Sequence, residues 1–317
     1  MKNASNPLFD AQSALGFVVA QTSIIEPQVY AAKYPDIQYR DLIPVDTSGS
    51  EFASSVTYYS SDRFGSADWI NGNADDIPKA GTTRSKFETP VYTAGIGYGW
   101  GWEEIGKAQL LGINLPAEDA FAARRAAEEM CDRVFLEGDS TKGFEGLFNN
   151  SAVTPVPAVH GDWGSYQAAG SATPDQIVAD MNNAILNVFF GTNTTAIADT
   201  LLLPWSKFQV IATRRMSTDT DASILDFFRR NNAYTATSGQ PLTLRGLRGL
   251  DTAGVSGVPR MIAYRRSPEV LKAHMPMPHR FLPVYQSGPL RWDVPGVMRL
   301  GGLDIRLPKE VNYTDGI

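Results

Sequence analysis

The chain has 317 residues, 43% hydrophobic and 20% charged; this excludes a disordered chain, a collagen and a membrane bundle, and the length suits about two domains. Its one cysteine, Cys131, excludes an internal disulfide and a zinc cage of cysteines, in keeping with folding in a reducing cytoplasm. The formal charge of −6 argues against a dedicated nucleic-acid binder held by one large basic surface.

That charge is unevenly spread. Residues 207 to 272 carry 11 Lys/Arg against 5 Asp/Glu, a local +6, whereas residues 1 to 206 carry 12 against 25, a local −13. Opposite local charges suit head-to-tail contact between unlike surfaces of identical copies. The apolar run Ala14 to Ala20 lacks the basic flank of a signal peptide, and the longest uncharged run, Met181 to Ala198, is too rich in Asn and Thr for lipid. No membrane association is expected.

Residues 1 to 38 read as an arm with a short amphipathic helix around Phe9 to Ile25, broken by Pro27 and Pro35. Residues 51 to 102 form one long excursion. Two strand-like limbs, EFASSVTYY and ETPVYTAGIGYGWGW, flank a polar tip rich in Gly, Asn and Asp, which predicts a long hairpin or extended loop. In the second limb Tyr92, Ala94, Ile96, Tyr98, Trp100 and Trp102 share one parity and Gly95, Gly97, Gly99 and Gly101 the other. That pattern predicts a strand whose bare face is closely approached by a helix or another chain.

The clearest helix runs from Pro116 to Glu137, about 33 Å at 1.5 Å per residue, capped by Asn114 and stopped by Gly138. Ala123, Ala127, Met130, Val134 and Phe135 form its packing stripe. Thr173 and Pro174 start a second helix that ends at Gly191. A buried strand at Thr200 to Leu203 follows, then short helices near Ser206 to Arg215 and Ala222 to Arg230, and strands at Leu242 to Leu250 and Arg260 to Tyr264. Phe281 to Tyr313 returns to β structure, so the order is that of an α+β protein with interleaved subdomains, its first and last β segments sharing a sheet.

Catalytic signatures are missing. The sequence holds no HExxH, GxSxG, Walker loop or CxxC, and the prolines in HMPMPH (274 to 279) make it a structural loop rather than a metal pair. Cys131 reads as a packing residue and no cofactor is expected. The adjacent arginines at 124/125, 214/215, 229/230 and 265/266 point about 100° apart on a helix and so serve separate surface contacts rather than one phosphate clamp.

An arm, a projecting loop, a long helix and an α+β unit without chemistry describe a building block. Their order resembles the major capsid proteins of tailed phages, the Hong Kong 97-type fold shared with encapsulins. The resemblance rests on the loop 51 to 92, the helix 116 to 137 followed by EGDSTKGFEGLFNN, the strand RMIAYRRSPEVLKAHMP and the ending GGLDIRLPKEVNYTDGI. It implies an N-terminal arm at 1 to 38, an extended loop at 51 to 92, a peripheral domain at 103 to 165 with 283 to 317, and an axial domain at 166 to 282. It further implies a non-enzymatic shell subunit of the virion, assembled in the host bacterial cytoplasm. Its partners would be copies of itself in pentamers and hexamers, a portal, a decoration protein, and packaged double-stranded DNA bound without sequence preference. The early onset of β structure at Tyr39 leaves no room for a fused scaffold, so a separate scaffolding protein or none is expected. Trp69, Ile70, Lys79 and Arg84 in the loop, and Arg124, Arg125, Arg229 and Arg230 on helices, are the candidate inter-subunit contacts. The alternatives are an encapsulin-like nanocompartment shell, set apart by particle size and contents, and a soluble cytosolic enzyme, which would need converging acids, bases or ligands.

Overall fold

The computed structural model describes residues 36–69, 79–111, 115–164 and 171–317. The expected arm helix around Phe9 to Ile25, the cap Asn114 and the tip residue Ile70 lie outside the described residues. The chain divides into Met1–Asp36 and Ile37–Ile317, and the described helices and strands all belong to the second unit.

Helix α1 (Tyr39–Leu42) and strand β1 (Val45–Asp46) precede the hairpin strands β2 (Ser55–Phe64) and β3 (Gly81–Pro90). Next come β4 (Tyr92–Gly95), β5 (Tyr98–Gly101), helix α2 (Trp102–Leu111) and the long helix α3 (Leu115–Leu136). Short strands β6 (Gly138–Asp139), β7 (Phe144–Glu145) and β8 (Pro155–Pro157) lead to helix α4 (Pro174–Gly191). Strand β9 (Thr200–Pro204) is followed by helices α5 (Trp205–Thr213), α6 (Ile224–Arg230) and α7 (Ala233–Ser238), then β10 (Thr243–Leu247) and β11 (Arg260–Tyr264). The tail contributes β12 (Leu271–His274), β13 (Met277–Phe281), β14 (Tyr285–Gly288), β15 (Arg291–Val294), β16 (Gly296–Leu300), β17 (Leu303–Ile305) and β18 (Val311–Asp315).

The central layer is a five-stranded sheet in the order β10-β9-β11-β18-β8. Its strands TLLLP and RMIAY are apolar without alternation because both faces are covered. Leu201, Leu203, Met261 and Ala263 pack against Ile177, Met181, Ile185 and Val188 of α4 and Phe228 of α6. Leu202, Ile262, Tyr264, Val311 and Tyr313 face the other core, which holds Ala127, Cys131, Val134 and Phe135 of α3 and Tyr39, Leu42 and Ile43 near α1. The sheet thus separates two cores, one closed by α4 and the other by α3.

Chain crossing ties early strands to late ones. β1 pairs with β12, which pairs with β17; β4 pairs with β16, and β5 with β15. The first and last β segments therefore share sheets, as expected. The C-terminal strand β18, expected with residues 283 to 317, is the hydrogen-bonded neighbour of β11 from the 166 to 282 segment.

The alternating glycine stretch differs from expectation. It forms two strands in different sheets, broken between Gly95 and Tyr98, and Trp102 already belongs to α2. Within the subunit three of its four glycines meet the tail of the same chain: a Cβ at Gly95 would lie 2.7 Å from the Gly296 carbonyl oxygen, one at Gly97 would meet the Val294 carbonyl, and one at Gly99 would strike Asp293. The tail strands β15 and β16 occupy that space. HMPMPH is likewise no loop, since His274 ends β12 and His279 lies in β13.

Candidate functional site

The hairpin β2–β3 is paired without a slip from Ser55↔Pro90 to Phe64↔Gly81. Ten residues per strand reach about 33 Å, and among the described residues neither strand has another neighbour. Alternation sorts its side chains. Val56, Tyr58, Phe64 and Phe87 share one face, with Tyr58 stacked on Phe87 at 5.1 Å; Tyr59, Arg63, Arg84, Lys86 and Glu88 share the other. Phe64 remains 57% exposed and Trp69 completely so.

At its root the hairpin meets the body across a groove of about 610 Å³ lined by Tyr58, Phe87, Phe144, Asn150, Leu303 and Arg306 among others. Polar contacts dominate there. The Arg306 guanidinium lies 5.0 Å over the Tyr58 ring, and the Thr89 hydroxyl donates to Asp304 at 2.7 Å. Arg280 pairs with Glu51 at 3.0 Å while Arg299 donates to the Glu51 carbonyl at 2.7 Å. The hydroxyl and amide of Ser48, then the Lys272 ammonium 2.9 Å away, hold the Asp46 carboxyl well below the usual carboxylate range.

Helix α3 is fastened along its length. Asp132 accepts the Gln38 and Tyr39 amides at 2.9 Å, and Glu128 accepts the Tyr39 hydroxyl at 2.8 Å and Arg40 at 2.7 Å. Burial, reinforced by Glu128, pushes the Tyr39 phenol upward. Near its start, Asp119 accepts the Trp100 indole N–H at 2.6 Å. Its exit requires glycine: Gly138 has φ +84°, and a Cβ there would lie 2.5 Å from the Phe144 carbonyl oxygen. Burial pushes the Cys131 thiol up to about 12.

The turn after the helix is clamped by the end of the chain. Arg260 is 4% exposed, forms a bidentate pair with Asp315 at 2.6 and 2.8 Å, and donates to the Phe148 carbonyl at 2.6 Å. Its guanidinium lies 4.6 Å over the Tyr313 ring, whose hydroxyl donates to the Leu147 carbonyl at 2.6 Å. On the other side of the sheet Asp180 of α4, 1% exposed, accepts from the Gly161 amide, the His160 amide and ring, and the Trp163 indole.

The anticipated contact residues fall on three separate elements. Trp69, Lys79 and Arg84 sit on or beside the outer hairpin, all exposed. Arg124 is exposed on α3, whereas Arg125 is partly buried and bonds Glu129 at 3.0 Å within the same helix. Arg229 and Arg230 are exposed at the end of α6, with Arg230 reaching the Asp226 carbonyl at 3.3 Å. The other arginine pairs serve the chain itself: Arg214 holds the Ala172 carbonyl, Arg265 pairs with Glu310, and Arg266 holds the Arg40 carbonyl. Sequence reasoning missed the buried charges Arg260, Asp180 and Asp304. A charged residue opening an otherwise apolar run, as in RMIAY, was the one local signal. Among the described residues no group of three or more His, Cys, Asp or Glu is placed to hold a metal ion, and no helix is long and apolar enough to cross a membrane.

No curated protein matches the sequence. Solved structures do. The capsid of the Myoviridae phage XM1 matches with a TM-score of 0.76 at 18% identity, over 94% of this chain and 98% of that one. The capsid of a native GTA particle matches at 0.64 and 10% identity, over 97% and 99%. A chain from Mycobacterium phage Bobi matches at 0.60 and 14% identity, over 96% and 97%. These likenesses show the Hong Kong 97-type capsid fold. The family model described as "Major capsid protein" matches residues 65–317, four-fifths of the sequence, and the chain belongs to that family.

Proposed function

We propose that copies of this major capsid protein assemble through pentamers and hexamers into the icosahedral head of a tailed phage, enclosing double-stranded DNA held without sequence preference. The hairpin carries this reading. A two-stranded ribbon is marginal in water, and here one leaves its subunit with Phe64 and Trp69 uncovered and its apolar face extending past the root groove. Such a surface is stable in use when a neighbouring copy covers it. On this reading residues 1 to 38 are the arm, 51 to 92 the extended loop, 103 to 165 with 283 to 317 the peripheral domain, and 166 to 282 the axial domain, whose strand β11 pairs with β18 of the peripheral segment. The exposed Arg229 and Arg230 then meet acidic surface on the next copy. The subunit acts by packing and not by catalysis, in particles built in the host cytoplasm, with a portal and a decoration protein as further partners. Expression of the chain followed by sedimentation and negative-stain microscopy tests this: closed shells of megadalton mass are expected, and a monomer of 34.6 kDa under all salt and concentration conditions contradicts it.

A further inference from the structure

The hairpin root contains a buried histidine that neither the core nor any known chemistry of the chain requires. His274, at the end of β12, is 4% exposed and stands between two carboxylates from different strands. Its Nε2 lies 3.0 Å from Asp304 of β17, and its Nδ1 lies 4.0 Å from Asp46 of β1. The nearer pair is close yet misaligned: neither His274 Nε2 nor the facing Asp304 Oδ2 makes a hydrogen bond. The other Asp304 oxygen accepts the Thr89 hydroxyl of β3, which links the histidine to the hairpin in two steps. Lys272, on the same strand as His274, pairs with Asp46, and Tyr58 lies within electrostatic reach of both Asp304 and Arg306.

We propose that His274 is a proton-operated latch that fixes the hairpin to the body when its imidazole is charged and loosens it when neutral. A misaligned neutral N–H does little for Asp304 Oδ2, and a buried carboxylate oxygen without a partner is costly. Charge attraction depends far less on angle, so the imidazolium compensates Asp304 at 3.0 Å and gains a second interaction with Asp46. Lys272 already neutralises much of Asp46, which leaves Asp304 as the partner that decides the state. Asp304, held still, holds Thr89 and with it the strand that leaves for the tip. Protonation moves one proton from solvent onto the ring, and no bond other than N–H forms. The latch rests on the reading of the hairpin as a working arm, but it operates within one subunit.

The test is hydrogen exchange by mass spectrometry on the intact chain at pH 5.5 and pH 8, corrected for intrinsic exchange and normalised to α4. Wild-type protection of residues 54–64 and 81–91 should fall by roughly tenfold toward pH 8, as expected for loss of one charged contact. In His274→Gln it should be low at both pH values. Thr89→Val cuts the link on the hairpin side and should also abolish the pH step; it decides the matter if the histidine variant does not fold. A flat wild-type ratio, or an unchanged step in Thr89→Val, overturns the latch. Microscopy of the same samples reports on shell assembly separately, so shells with a flat ratio refute the latch alone, and a pH step without shells refutes the assembly reading alone.

Discussion

Replacing Arg260 by Met tests how the end of the chain holds the turn that follows helix α3. The substitution removes two hydrogen bonds to Asp315 and one to the Phe148 carbonyl, all between 2.6 and 2.8 Å. Asp315, 8% exposed, still accepts from the Val255 backbone amide at 3.0 Å but loses its counter-ion, and so becomes a buried charge without a partner of opposite sign. Removal of one partner from a buried ion pair costs about 3–5 kcal/mol, and the stacking on Tyr313 adds packing loss only partly restored by Met. For a chain of this size that corresponds to a fall in Tm on the order of 5–15 °C. The double variant Arg260→Met with Asp315→Leu removes the stranded charge too and should lie within about 2 kcal/mol of wild type. Urea unfolding of dissociated subunits, followed by circular dichroism, reads both through the midpoint at constant slope. A single variant within about 1 kcal/mol of wild type, or a double variant worse than the single one, refutes the reasoning.

Ala127→Asp places an unpaired carboxylate at a position 2% exposed between α3 and the sheet, and should cost several kcal/mol; a wild-type melting curve would show that the stripe faces water. Cys131, buried and pushed up to about 12, should resist thiol reagents in the native protein and react only on unfolding, so stoichiometric labelling of folded subunits contradicts its placement. Asp46 is depressed in the fold, so its contribution is present above about pH 4 and lost as pH falls through the folded value. The gap in urea midpoint between wild type and Asp46→Asn should therefore narrow as pH falls from 5.5 to 3; a gap that persists unchanged at pH 3 would contradict this.

Elements governed by local chemistry were legible. Thr173 forms a full capping box with Gln176, with Pro174 in the first turn, and α4 begins there. The unbroken run Arg260–Tyr264 revealed its strand because burial on both faces leaves no alternation to misread. The alternating glycines 95, 97 and 99 were read correctly as close approach, but their partner lies some two hundred residues later, between Asp293 and Gly296, and Gly101 has no such neighbour. Helix α7 escaped notice because Ala233–Ser238 has little apolar periodicity and depends on the Asn232 cap and the left-handed Gly239. The buried charges were invisible for the same non-local reason: Arg260 and Asp315 are 55 residues apart, and Thr89 and Asp304 are 215 apart. The exposure of Trp69 and Arg84 could be read from composition alone, since a polar loop that keeps an aromatic residue has no core to place it in.

The central claim is that the hairpin belongs to the assembly and not to the fold of its own subunit. Replacing Gly65 to Ser85 with a short Gly-Ser turn removes Trp69 and Arg84 and shortens the ribbon, while the root contacts of Thr89, Asp304 and Arg306 remain. Circular dichroism and electron microscopy on that variant, side by side with wild type, measure the two roles separately. The expected result is a folded subunit with a near-native spectrum that forms no shells, or only loose, salt-sensitive ones. Normal shells from the shortened chain, or an unfolded subunit, would contradict it.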